Sequence, residues 1–192
     1  IYNRYTQVEG DIVFYTMKDN PTLWLNSELL KRDVDILSSI NFNYLHVFPG
    51  VFEWVEGDPS PEVIKDFVKY ANSKGVHTGD YSGTNPVFCN HYNDYRNTLC
   101  KPQWKIDDVA GNETGVFCFG DDEFVDYYID TVVPNIKKYG FEVHCLDFLS
   151  ISPCFNSHHK HPAGRESVYD QVKGLVKLLM AIRDTSPNMM TW

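Results

Sequence analysis

Short apolar runs alternate with longer amphipathic stretches along most of the chain, and the two periods predict different elements. Residues 12–16 (IVFYT) read as a strand. Ser27 is placed to cap a helix over about 28–40, where Leu29, Leu30, Val34, Leu37 and Ile40 recur at helical spacing. Residues 44–48 (YLHVF) form a second strand, closed by Pro49 and Gly50. Ser60 caps the next helix, which opens with Pro61, a favoured first-turn residue. Its apolar face is Val63, Ile64, Phe67, Val68 and Ala71, and Gly75 stops it. A third strand follows at 76–81. Residues 82–121 hold no sustained period and are rich in Asn, Asp, Gly, Tyr and Cys, which predicts a long functional loop or small irregular elements. A helix then runs from Asp121–Asp122 to Tyr139, with Gly140 ending it, and residues 141–148 form a fourth strand. After a second polar loop (150–164), a helix over about 165–185 places Val168, Val172, Leu175, Val176, Leu179 and Ile182 inward. A fifth strand begins near Met189.

Strict β-α alternation predicts a parallel sheet. An open doubly wound sheet and a (β/α)8 TIM barrel both fit. The glycine-rich dinucleotide fingerprint and the phosphate-binding loop are absent. The long loops follow the third and fourth strands, at the carboxyl ends where barrel active sites lie, so the barrel is preferred. Four to five βα units make the first half of a barrel. Residues 1–192 then read as one partial catalytic domain that continues beyond its C-terminus and needs the remainder of the same barrel as its partner.

Composition narrows the partners. The net charge is -9, which opposes binding to nucleic acid or to an anionic membrane surface. No run of about 20 apolar residues is present to span a bilayer. The five cysteines (Cys89, Cys100, Cys118, Cys145, Cys154) form no C-x-x-C pair, and Cys89 and Cys100 share one loop. Asn112-Glu113-Thr114 is a formal glycosylation sequon. Nothing in the sequence calls for a cofactor.

The candidate chemistry centres on Asp147, which ends the apolar strand VHCLDF. A carboxylate there is costly unless it is paired or faces a site. At the end of a barrel strand it would point into the catalytic mouth, where it could attack an anomeric carbon or stabilise an oxocarbenium-like transition state. The bland alternative is a cap on the next loop. Asp80, inside the third strand beside Tyr81, either orients a substrate hydroxyl or bonds the next strand. Glu53 and Trp54 follow the second strand and suit a sugar platform or a lid on the barrel rim. His91, Tyr92 and Trp104 are weaker candidates in the long loop. His158, His159 and His161 invite a metal reading, but adjacent histidines tend to point apart and no acid stands at ligand spacing. Substrate contact or a solvated loop is preferred, and no metal ligand is assigned. Asn156 and Arg165 could bind sugar hydroxyls or a carboxylate. No G-x-S-x-G elbow supports a serine triad.

Three passages agree in order and spacing with one family. SKGVHTGDYS (73–82), CFGDD (118–122) followed by a helix and KYGF (138–141), and CLDF (145–148) resemble the α-galactosidase (melibiase) clan of glycoside hydrolases over about residues 40–150. The resemblance implies a (β/α)8 barrel with Asp147 as the nucleophile ending strand four. It also implies an acid/base on strand six, beyond Trp192. The clan usually carries Lys two places before the nucleophile. Cys145 stands there, so the sugar contacts differ, and the clan's acidic pair after strand two is replaced by Phe48-Pro49-Gly50. The expected activity is a glycosidase acting on an oligo- or polysaccharide, secreted or periplasmic by the habit of such enzymes. The alternatives are a non-catalytic carbohydrate-binding barrel and a metal-dependent hydrolase using the histidine loop.

Overall fold

A computed structural model describes residues 27–48, 61–83, 101–147 and 149–191. Its elements are α1 (Ser27–Ser39), β1 (Tyr44–Phe48), α2 (Pro61–Ser73), β2 (His77–Gly83), a 3-10 turn (Pro102–Trp104), β3 (Lys105–Asp107), β4 (Glu113–Phe117), α3 (Asp122–Tyr139), β5 (Val143–Asp147), α4 (Ser167–Arg183) and β6 (Met190–Thr191). The strand expected at 12–16 lies outside the described residues. Strands β1, β2, β5 and β6 form one sheet in that order, and every pair is parallel. The chain is thus α/β with helices returning it between parallel strands, as the alternation of patterns demands.

The helices pack one continuous core against the sheet. Val34 and Leu37 of α1, Ile64, Phe67, Val68 and Ala71 of α2, Phe124, Val125, Tyr128, Val132 and Ile136 of α3, and Leu178 and Ile182 of α4 are all buried in it. Helix α3 has the clearest ends. Asp121 accepts a hydrogen bond from the Glu123 amide at its start. Gly140 closes it at φ 74°, where a residue with a Cβ would be strained. Two acids in its first turn and two lysines in its last complement the helix dipole.

Two helical faces differ from the pattern expected of them. Ile40 falls past the end of α1 and is exposed. In α4, Val172 and Val176 are exposed, together with Tyr169 and Met180, while Ser167, Gln171, Leu178 and Ile182 are buried. Close approach sets this phase. A Cβ on Gly174 would stand 1.8 Å from the Phe119 carbonyl oxygen, so the bare backbone of α4 lies directly against the segment leading to α3. Gln171 goes inward because its amide donates to the Ser152 carbonyl at 2.7 Å. Tallying apolar positions alone misjudges a face whose contacts are a glycine and the donating end of a buried amide.

The amino end of the sheet is held by one carboxylate. Glu142 Oε2 lies 2.5 Å from His77 Nδ1, and its Oε1 accepts from Ser186 Oγ at 2.8 Å and Asn188 Nδ2 at 3.1 Å. Burial pulls this carboxyl upward, but the bonds from His77, Ser186 and Asn188 outweigh it and hold it below its ordinary 4.5. A depressed folded value stabilises the protein above the unfolded value, and that contribution is lost as pH falls through the folded one. Glu142→Gln is therefore expected to flatten the acid limb of the stability–pH curve below 4.5, read as urea midpoints from neutral pH downward. An unchanged acid limb would remove Glu142 from this role.

Candidate functional site

The carboxyl ends of β2 and β5 meet side by side, with Gly83 opposite Asp147, Ser82 opposite Leu146 and Tyr81 opposite Cys145. Both strands lead into long connections, so the loops and the strand ends share one edge of the sheet. Asp147 stands at the last position of β5, the third strand of the described parallel sheet in chain order, since β3 and β4 belong to a separate hairpin. Cys145 is half-buried two residues before it. Glu53, Trp54, His91 and Tyr92 lie outside the described residues.

Asp80 has a different setting. Alternation along β2 and β5 puts it on the face shared by Thr78, His144 and Leu146, opposite to that of Cys145. Leu146 on that face joins the core beneath the helices. Asp80 Oδ1 and His144 Nδ1 are 2.5 Å apart across the two strands, with both side chains fully buried. The geometry matches the strand-to-strand bond of the two readings weighed for Asp80.

The segment 101–121, unpatterned in sequence, is built around an antiparallel β3–β4 hairpin. Its turn is closed by Asp108, whose Oδ1 accepts from the Ala110 amide at 2.8 Å and the Asn112 amide at 2.9 Å, with Gly111 at φ 80°. Those bonds hold the Asp108 carboxyl below its usual range. Trp104 is core and not a platform. It is buried against Phe117, Phe124 and Tyr127, and its Nε1 donates to Glu123 at 3.1 Å.

The β5–α4 loop folds back onto this hairpin. The Phe155 amide donates to the Asp107 carbonyl at 2.9 Å. The buried Asn156 donates to the Lys105 carbonyl at 2.9 Å and the Gln103 carbonyl at 3.3 Å, and its oxygen accepts from the His158 amide at 2.9 Å. The Asn156 amide is thus committed to joining two loops. His158 and Arg165 are exposed.

His159 and His161 do not point apart. Their rings sit 4.9 Å apart between centroids, and His159 Nδ1 faces His161 Nε2 at 3.1 Å. Cys118 Sγ lies 3.2 Å from His161 Nε2, and Cys154 Sγ lies 3.3 Å from His159 Nδ1. The four ligand atoms all fall within 4.8 Å of one another. The expectation of diverging histidines fails because one residue, Lys160, separates the two that converge, while His158 is the one turned outward. The two cysteines escape sequence reading because Cys118 follows β4 and Cys154 follows β5, so that only the fold makes them neighbours. The visible part of the signal is Cys154-x4-His159-x-His161. Cys118 and Cys154 are not disulfide-linked. The hydrogen bond between them lowers the Cys154 thiol well below the ordinary range, helped by His159, and with burial raises Cys118. Burial, with the nearby Cys154 and Glu113 charges, pushes the Asp107 carboxyl upward.

No protein-family model matches the sequence, and no curated protein sequence is similar to it. Solved structures are similar in three dimensions. An α-galactosidase from Lactobacillus brevis superposes with a TM-score of 0.60 at 15% identity, over 86% of this chain and 24% of that one. The GH36 α-galactosidase AgaB from Geobacillus stearothermophilus gives 0.59 at 13%, over 86% and 25%. An α-L-fucosidase from Paenibacillus thiaminolyticus gives 0.55 at 14%, over 87% and 29%. This chain shares the fold of part of those glycosidases. It spans about a quarter of their length.

Proposed function

We propose that the chain is the first half of a (β/α)8-barrel glycosidase of the α-galactosidase type, acting on an oligo- or polysaccharide. The observation that carries this reading is the position of Asp147. It ends an interior strand of a parallel sheet, on the edge where two long loops converge, in a fold shared with α-galactosidases and an α-fucosidase. A carboxylate at such a position suits nucleophilic attack on an anomeric carbon, or stabilisation of the positive charge that develops there. Tyr81 and Cys145, adjacent in register near the same strand ends, would line the sugar subsite. Glu53, Trp54 and His91 are further candidates for sugar contact. The acid/base that completes the pair would come from the remainder of the barrel.

The test is hydrolysis of a panel of aryl α- and β-glycosides by the full-length protein and by its Asp147→Asn variant. Turnover of one glycoside that is lost in a folded variant supports the reading and names the sugar. Equal turnover by both proteins removes Asp147 from the mechanism. Sugar binding without turnover by either would favour a non-catalytic carbohydrate-binding barrel.

A further inference from the structure

We infer that Cys118, Cys154, His159 and His161 form a structural zinc site that clamps the β3–β4 hairpin to the β5–α4 loop. The inference is independent of any glycosidase activity.

The first argument is proton accounting. A carbonyl oxygen can only accept, so each ring nitrogen facing one must carry the hydrogen. His159 Nε2 lies 2.7 Å from the Gln103 carbonyl, and His161 Nδ1 lies 2.9 Å from the Pro162 carbonyl. In the neutral imidazoles the other two nitrogens are then bare lone pairs, and these are the two that face each other at 3.1 Å. Two lone pairs at that distance repel unless a cation or a proton lies between them. A carbonyl or carboxylate behind each ligating histidine is also the usual outer partner of metal-bound imidazole, fixing tautomer and ring orientation. Asp121 Oδ2, 3.4 Å from His159 Nε2, adds a carboxylate to that outer layer.

The second argument is size and charge. Tetrahedral zinc, with bonds near ~2.3 Å to sulfur and ~2.0 Å to nitrogen, separates its ligand atoms by about 3.3–3.8 Å. The nitrogen–nitrogen separation of 3.1 Å and two of the four sulfur–nitrogen separations, 3.2 and 3.3 Å, are close to these edges, and all four atoms lie within 4.8 Å of one another. Cys118 and Cys154 are fully buried. Two thiolates would be intolerable there alone, but with one divalent cation and two neutral imidazoles the set sums to zero. Two soft thiolates with two imidazoles select zinc over magnesium or calcium, which prefer oxygen. Four protein ligands leave no open position for water or substrate, so the site is structural and not hydrolytic. Binding displaces the thiol protons to solvent.

The third argument is location. Cys118 follows β4 and the other three ligands follow β5, so the ion joins two consecutive strand-to-helix connections. A Cβ on Gly120 would stand 2.6 Å from His161 Cδ2, so the chain passes tightly beside the cluster.

The test uses the full-length protein, purified with reductant and without added chelator or metal, and analysed for zinc by mass spectrometry beside Cys154→Ser and His161→Ala. The wild type is expected to carry about one zinc per chain at this site. Each variant is expected to lose it or to bind zinc at least about 10–100-fold more weakly, the range that even outer partners cost. Because a ligand variant can fail to fold, cobalt(II) is also exchanged into the wild type. Intense tetrahedral d–d bands with sulfur-to-cobalt charge transfer are expected, and the charge-transfer band should weaken in Cys154→Ser. Wild-type protein without zinc and without the cobalt signature would overturn the site. So would zinc retained unchanged in both folded variants, or a Cys118–Cys154 disulfide found in metal-free native protein.

Discussion

Asp147→Asn is expected to lower kcat on the glycoside that the full-length protein cleaves by about 10³-fold or more, a barrier increase of about 4 kcal/mol. An amide keeps the size and one hydrogen-bond acceptor of the carboxylate. It cannot form a glycosyl ester, and it brings no negative charge to an oxocarbenium-like centre. Stability should change little, because the substitution lies at a strand end where the loops meet the sheet. Asp147→Gly with added azide separates the two catalytic roles. If Asp147 is the nucleophile, azide should take its place at the anomeric carbon, release the aryl group and restore turnover as glycosyl azide. If Asp147 only stabilises charge, azide should restore nothing. A kcat within a few-fold of wild type for Asp147→Asn would end the proposal for this residue.

The second large effect falls on stability. Asp80→Ala is expected to cost about 1–3 kcal/mol, the range for leaving a buried hydrogen-bonding group without its partner. Asp80 and His144 are both fully buried, and their 2.5 Å contact joins β2 directly to β5 at matched positions of the sheet. Alanine would leave the His144 ring without this acceptor and open a small void between the strands. For a domain of about 150–250 residues the loss corresponds to roughly 2–12 °C in Tm. Asp80→Asn, which keeps an acceptor oxygen, should lose less than half as much. Calorimetry of the full-length protein reads both. A Tm for Asp80→Ala equal to wild type would show that the pair carries no structural load. The two aspartates should therefore separate cleanly, Asp147 through turnover and Asp80 through Tm.

The regular part of the fold was legible because its signals were redundant. Helix α3 has an acidic cap, an apolar face and a terminal glycine, and all three agree. Helix α2 has Pro61 at its start and Gly75 beyond its end, with Ile64, Phe67, Val68 and Ala71 on one buried side. The β3–β4 hairpin was not legible. Strand β3 has three residues and β4 alternates polar and apolar positions only weakly, so neither reaches the length at which a period can be recognised. Asp108, Gly111 and Asn112 carried the turn signal, but turn residues are plentiful throughout that stretch. Asp147 could be singled out as a candidate because a charge after an apolar run is conspicuous. The Cys118, Cys154, His159 and His161 cluster could not, because its geometry depends on two loops that meet only after the sheet has formed.

The hairpin also bears on how the chain reaches its native state. Strands β2 and β5 are adjacent in the sheet, yet Gly83 and Val143 are separated by roughly 60 residues, about twice the length of an ordinary crossover. Closing the longer connection costs only about 0.6 kcal/mol more at equilibrium, because the entropy of closure grows with the logarithm of length. The rate is affected more than the balance. Pairing β2 with β5 is a distant encounter that must precede the contacts between the two loops, and such topologies fold slowly. An elaborate loop can therefore be inserted into the middle of a parallel sheet with almost no penalty in final stability, while the newly made chain spends longer with β2 unpaired on that side.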